Sequence, residues 1–310
     1  MVENSLVMNQ LSSTIDILFD DLKFKNVIYC DIPVHGNIGD LLIMLGTIKF
    51  LKEHNITVKD IFSAYDLDFI SVAPDDIIVL HGGGNLGDLY GLHQKFREKI
   101  ISKYLNNKII ILPQTIYFES NDNYNRCCEI FSKHKNLYIY TRDKNSFELA
   151  KKMSNFVYLS PDMAHKLYPI KYKNKADKES IFIKRKDKEL LKDNYEIDTK
   201  ALVIDWCDIL GIHNYIISAF IRLNKLLSIL GIKFAHKFLI KPWIKYANFL
   251  VKKTVKVLSR YDVIYTTRMH GHILACLMDK ENIVFDNSYG KNSNYIKQWT
   301  SSSKLVSLLK

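Results

Sequence analysis

Three short runs carry residue types that do chemistry on anions. Arg268 and His270 stand in TTRMHGH, directly after the β-branched run DVIYTT and where a helix begins. A guanidinium offers a planar fork that matches phosphate or carboxylate, and an imidazole moves a proton near neutral pH. Taken singly, that arginine reads as an ion-pair partner and that histidine as a helix-cap group; their joint position suits anion binding with acid catalysis. The second run, HGGGNLGDLYGLHQKFRE, puts Gly82, Gly83, Gly84 and Gly87 at the end of the strand-like DDIIVL. Consecutive glycines cost folding entropy, so they imply positive φ angles or a close approach of backbone to a ligand. The third is HGNIGD, His35 to Asp40, between NVIYCDI and a helical stretch. Glycine there lets amides approach an anion at a helix start, and a plain tight turn accounts for it equally well. His35 and His81, which flank the two loops, read as supporting or core groups.

All three runs follow strand-like segments, as ligand-binding loops do in open parallel sheets. From Lys25 onward, short β-branched runs alternate with helical stretches, which predicts crossover units and mostly parallel sheets. About five such units are complete by Pro169. The lysine-rich connection YPIKYKNKADKES then predicts a boundary between two α/β domains, residues 1–170 and 171–310. Beyond it SIFIKRK, ALVIDW, DVIYTT and NIVFDN read as strands. Helices are expected near His213–Leu230, Pro242–Ser259 and His270–Met278. The expected architecture is two Rossmann-like domains facing a cleft.

The 310 residues are 47% hydrophobic and 25% charged, which excludes a disordered chain. Forty-four basic against 33 acidic residues leave +11, favouring anionic partners. Five cysteines without a Cys-x-x-Cys pair argue against a disulfide framework or zinc ribbon and fit a reducing compartment. The first 22 residues, interrupted by Asp16, Asp20 and Asp21, do not pattern as a signal peptide. No run of 18 apolar residues occurs, so a cytoplasmic or membrane-surface location is expected.

The ordered set GNIGD, GGGNLGDLYGLHQKFR, LPQT, TRDKNSFELA, SPDMA, TTRMHGHILA and DNSYGK resembles the polysaccharide pyruvyl transferase family over about Val27 to Trp299. CLMDKEN, Cys276 to Asn282, departs from its pattern, and Lys171 to Ser259 carries no matching motif. The resemblance implies a fold like that of GT-B glycosyltransferases. It further implies transfer of the enolpyruvyl group of phosphoenolpyruvate to a sugar of a capsule or exopolysaccharide precursor, leaving a pyruvate ketal. By matching position, Arg268, His270, His93 and Arg142 would contact phosphoenolpyruvate, and Gly83, Gly84 and Asn85 would line the site. Asp40, Asp88 and Asp162 match acidic positions that would meet sugar hydroxyls or act as the base. Asp162 is equally an N-cap for the segment it precedes.

That chemistry needs cationic donors for phosphate and carboxylate, plus an acid and a base. His270 is the expected acid, and Asp40 or Asp88 the expected hydroxyl activator. No His-x-x-x-His pair occurs, and His270 and His272 would point to different sides of a helix, so no metal or other cofactor is called for. The alternative enzyme is a GT-B-type glycosyltransferase using a nucleotide sugar. A polyanion-binding module is a third reading, but no nucleic-acid motif supports it. Finally, a helix over Lys237–Arg260 would gather Lys241, Lys245, Lys252 and Lys256 on one face and apolar residues on the other. The apolar face reads first as core. The lysine face is expected to hold the enzyme near anionic lipid, where a lipid-diphosphate-linked acceptor would be found.

Overall fold

The computed structural model describes residues 1–23, 25–173, 175–186, 201–286 and 290–309. Seven parallel strands form the first sheet: β1 (Asn26–Ile32), β2 (Thr57–Ser63), β3 (Ile77–Leu80), β4 (Gly83–Gly87), β5 (Ile109–Tyr117), β6 (Leu137–Thr141) and β7 (Phe156–Leu159). Their order is β2-β1-β3-β5-β6-β7, with β4 also paired to β5. The central strands are buried along their length, as the all-apolar IIVL and IIIL runs require when helices cover both faces. The second sheet contains β8 (Lys178–Ile183), β9 (Leu202–Ile204), β10 (Tyr261–Thr266), β11 (Glu281–Phe285) and β12 (Val306–Leu309), in the order β12-β11-β10-β8-β9 and again all parallel.

The chain as far as the end of the first sheet carries α1 (Asn4–Ile15), whose buried side packs with Cys276 of the second half, then α2 (Leu18–Leu22), α3 (Ile38–Glu53), α4 (Gly91–Lys103), α5 (Asn121–Ser132) and α6 (Lys144–Ala150). The second carries α7 (Trp206–Leu210), α8 (His213–Ile229), α9 (Lys233–Leu258), α10 (Met269–Leu277) and α11 (Lys291–Trp299). Local signals fix several starts: Asn37, Ser120 and Asp143 accept backbone N–H groups as N-caps, and Asp205 with Asp208 forms a capping box on α7.

The result is two Rossmann-like halves with mostly parallel sheets. One apolar cluster runs through both, joining Leu41 and Met44 of α3 to Trp206, Trp243, Ile264 and Leu274. The start of the chain also crosses over: Asn4 donates to the Cys276 carbonyl at 2.9 Å, and Val2 bridges Ser303. Two local expectations are corrected. Gly83–Gly87 is a short strand, not a loop, because it finds free edge positions on the long β5 at Gln114, Ile116 and Tyr117. Helix α9 starts nine residues before Pro242 and runs through it. Helix α11 begins inside the DNSYGK run, of which Asn287, Ser288 and Tyr289 lie outside the described residues.

Candidate active site

The carboxyl ends of both sheets open into one cleft of about 340 Å³. From the first half it is lined by His35, Asn37, Asp40, Gly84, Asn85, Tyr90, His93 and Arg142. The second half contributes Arg185, Trp206, Arg268, Met269, His270 and Lys291.

Asp40 stands in the first turn of α3, where the N-terminal end of the helix favours an anion. Asn37 builds that turn: its Oδ1 accepts from the Gly39 N–H at 3.0 Å, and its Nδ2 donates to Asp40 Oδ2 at 2.8 Å. His35 Nε2 lies 3.6 Å from the same oxygen. Burial, opposed by Asp40, pushes the His35 imidazole below its ordinary value. His35 therefore faces the cleft itself, whereas His81 is the buried group the sequence suggested, 2.6 Å from the Tyr29 hydroxyl and pushed down to about 4 by burial. The second glycine of HGNIGD is required by a residue from the other half. A Cβ on Gly39 would fall 2.5 Å from His270 Nδ1.

In the second loop, Gly83 and Gly87 take φ angles of +123° and +141°, the region glycine alone enters readily. Gly83 lies behind the cleft wall against Ile43 and Asp40. Gly84 is needed for space instead, since a Cβ there would sit 2.5 Å from Lys291 Nζ and 2.9 Å from Arg142 Nη2. Its missing side chain makes room for two cations from different halves. Asn85 is fixed by Arg97, which donates to its carbonyl at 2.9 Å and its Oδ1 at 2.7 Å.

Three of the cleft cations are backed by buried carboxylates. His93 Nδ1 lies 2.6 Å from Asp31, itself 2.8 Å from Arg97. Burial would raise the Asp31 carboxyl and lower the His93 imidazole, but their mutual attraction outweighs it in both, so the charged pair is favoured. Arg142 is fully buried, donating from Nε to Thr115 at 2.9 Å and from Nη1 to Asp162 at 2.5 Å. Its Nη2 has no hydrogen-bond partner among the described residues. Arg268 is clasped by Asp205 through Nε at 2.5 Å and Nη2 at 2.7 Å.

Besides Gly83, two more expected site residues do not line the cleft. Asp162 does not line the cleft; it lies beneath, bonded to Arg142 from the first half and 3.3 Å from His270 Nε2 in the second. Burial would raise its carboxyl, but His270 and Arg142 hold it far below the usual range. Its other oxygen accepts the Ala164 N–H at 2.9 Å, so it is an N-cap as well. Asp88 is elsewhere altogether. Its oxygens accept the N–H groups of Glu119 at 2.8 Å and Ser120 at 2.9 Å, bracing the start of α5. A carboxylate committed to two backbone donors outside the cleft is not a hydroxyl activator, which leaves Asp40 as the acidic residue lining it among those described. The sequence reading missed Arg185 and Lys291 as site residues, although Arg185 follows the strand-like SIFI and Lys291 closes the DNSYGK run. It also missed the supports Asp31 and Asp205, and the aromatic walls Tyr90 and Trp206.

Two parallel-sheet halves meeting at a cation-rich cleft define a GT-B-like α/β protein equipped to hold an anion. Its fold is that of a Klebsiella pneumoniae protein of uncharacterised function, matched with a TM-score of 0.61 at 20% identity over 97% of this chain and 98% of that one. Residues 37–289 match the polysaccharide pyruvyl transferase family, and the chain belongs to it. It is 42% identical to "Putative pyruvyl transferase EpsO" of Bacillus subtilis strain 168, over 94% of this chain and 89% of that protein. Pyruvyl transferase 1 of Schizosaccharomyces pombe is 28% identical over 89% of this chain and 70% of its own length. Membership makes the chain a transferase of the pyruvyl-transfer class.

Proposed function

We propose that this enzyme takes phosphoenolpyruvate as donor and installs a pyruvate ketal on a sugar of a cell-surface glycan precursor, releasing phosphate. The observation that carries this reading is the Nη2 of the buried Arg142, which has no partner among the described residues and lies with Lys291 Nζ against Gly84. A buried guanidinium N–H without an acceptor is costly unless a ligand supplies one. Around it, His93, Arg185 and Arg268 supply further donors for a phosphate and a carboxylate.

In this scheme His270 protonates the methylene carbon of the donor, which becomes the methyl group. Electron demand at the neighbouring carbon draws in one sugar hydroxyl, whose proton passes to Asp40. The carbon–oxygen bond to phosphate then breaks, with the cationic cluster holding the leaving group. A second hydroxyl closes the ketal, and its proton leaves with phosphate. The acceptor enters past Tyr90 and Trp206, whose rings suit the apolar faces of a sugar.

The test is release of inorganic phosphate from phosphoenolpyruvate in the presence of glycan precursor from the host, with mass spectrometry for a ketal-sized increment. Turnover of a nucleotide sugar instead, with no phosphate released from phosphoenolpyruvate, would overturn the proposal.

A further inference from the structure

Helix α8 packs against α9 on one side and leaves its other side uncovered by any described residue, while the far side of α9 is packed on α3 and β10. Phe220 stacks on Trp243 with ring centroids 4.8 Å apart, and His213 Nδ1 lies 2.7 Å from the Tyr246 hydroxyl. Tyr215, Ile216, Leu223, Leu226 and Ile229 of α8 fall within about 140° of arc on the helix. All five are exposed, Tyr215 by 79% and Ile229 by 81%. Phe238 on α9 adds an aromatic side chain that is 75% exposed. The segment that carries these two helices has charge of one sign. From Ile209 to Tyr261 the chain has two arginines, eight lysines and no acidic residue.

That combination narrows the occupant. A second copy docked about a twofold axis would set one cationic hairpin against another. Nucleic acid would satisfy the lysines but gains nothing from exposed isoleucine and leucine. An acidic bilayer surface meets both demands, with anionic headgroups above and hydrocarbon below. No helix among the described residues is long and apolar enough to cross a membrane, so α8 would lie along the surface. We propose that α8 embeds its outer apolar side chains in the interface of an anionic membrane, with the exposed lysines of α9 held by the headgroups. The side chains that enter are thus on α8, outside the lysine face of α9. The proposal is independent of the donor and acceptor named above.

Flotation of the full chain with vesicles tests it. The protein is expected to float with phosphatidylcholine vesicles containing phosphatidylglycerol and to stay behind with phosphatidylcholine alone. Replacing Lys241, Lys245, Lys252 and Lys256 by glutamine should weaken binding on the order of five-fold per lysine. The triple variant Ile216→Gln, Leu226→Gln, Ile229→Gln should lose on the order of ten-fold per side chain, even at low salt, while its circular dichroism and basal turnover stay as in the wild type. Failure of the wild-type chain to float with acidic vesicles would overturn the proposal whatever the variants do. So would flotation of the folded triple variant at wild-type affinity, or a concentration-dependent dimer that this variant abolishes.

Discussion

Replacing Asp162 by asparagine probes the link between the two halves of the site. The native carboxylate is fully buried and serves Nη1 of Arg142 at 2.5 Å and Nε2 of His270 at 3.3 Å. A neutral amide of the same shape leaves the buried guanidinium short of its counter-ion, at a cost of about 3–5 kcal/mol. At about 2 °C per kcal/mol for a chain of this size, the thermal midpoint should fall by about 6–10 °C at pH 7. The pH dependence checks the cause. Because the native carboxyl is held far below its ordinary value, the unfolded chain takes up this proton first as the medium is acidified. The stabilisation is therefore complete above about pH 4 and shrinks below it. The gap between wild type and Asp162→Asn should narrow as the pH falls from about 4 to about 2, as measured by thermal or urea denaturation. Turnover should drop by about 100-fold, since both groups it orients would shift. Equal midpoints at pH 7, or a gap that stays constant on acidification, would refute the reasoning.

Gly39→Ala should lower turnover by about 100-fold with the fold intact, because the added methyl would sit 2.5 Å from His270 Nδ1 and the ring must move; helix propensity favours alanine by about 1 kcal/mol, so lost activity without lost helix is the informative result. The two look-alike aspartates should separate cleanly. Asp40→Asn should reduce turnover by about 10²- to 10⁴-fold, whereas Asp88→Asn should leave turnover near wild type and cost about 1–2 kcal/mol of stability through its weakened bonds to the Glu119 and Ser120 N–H groups; the phosphate-release assay and a urea melt read both. His270→Ala should lose about 10²- to 10⁴-fold in turnover while its circular dichroism matches the parent.

Much of the fold was legible because its signals are local. Apolar strands such as IIVL, the capping residue Asp162, and the placement of Arg268 and His270 where a strand meets a helix need no knowledge of distant contacts. The site was legible where a side chain acts through its own loop. It was not legible where support comes from afar: Asp31 meets His93 across 62 residues, and Asp205 meets Arg268 across 63. GNIGD and GNLGD look alike on paper. They differ because Asp40 follows into a helix whose first turn faces the cleft, while Asp88 leaves a strand pinned to the edge of β5 and turns toward Glu119. The outer face of α8 was hidden for another reason, since periodicity shows that a helix has an apolar side but not whether a neighbour covers it.

Asp162 also has a mechanical consequence. One anion clasps a cation of the first half and an imidazole of the second, and a shared apolar seam runs alongside it. Prising the halves apart would strand that charge, and at about 3–5 kcal/mol a gaping form would account for fewer than about one molecule in a hundred. Reactants and product must then pass through the mouth of a preassembled cup rather than wait for its walls to part.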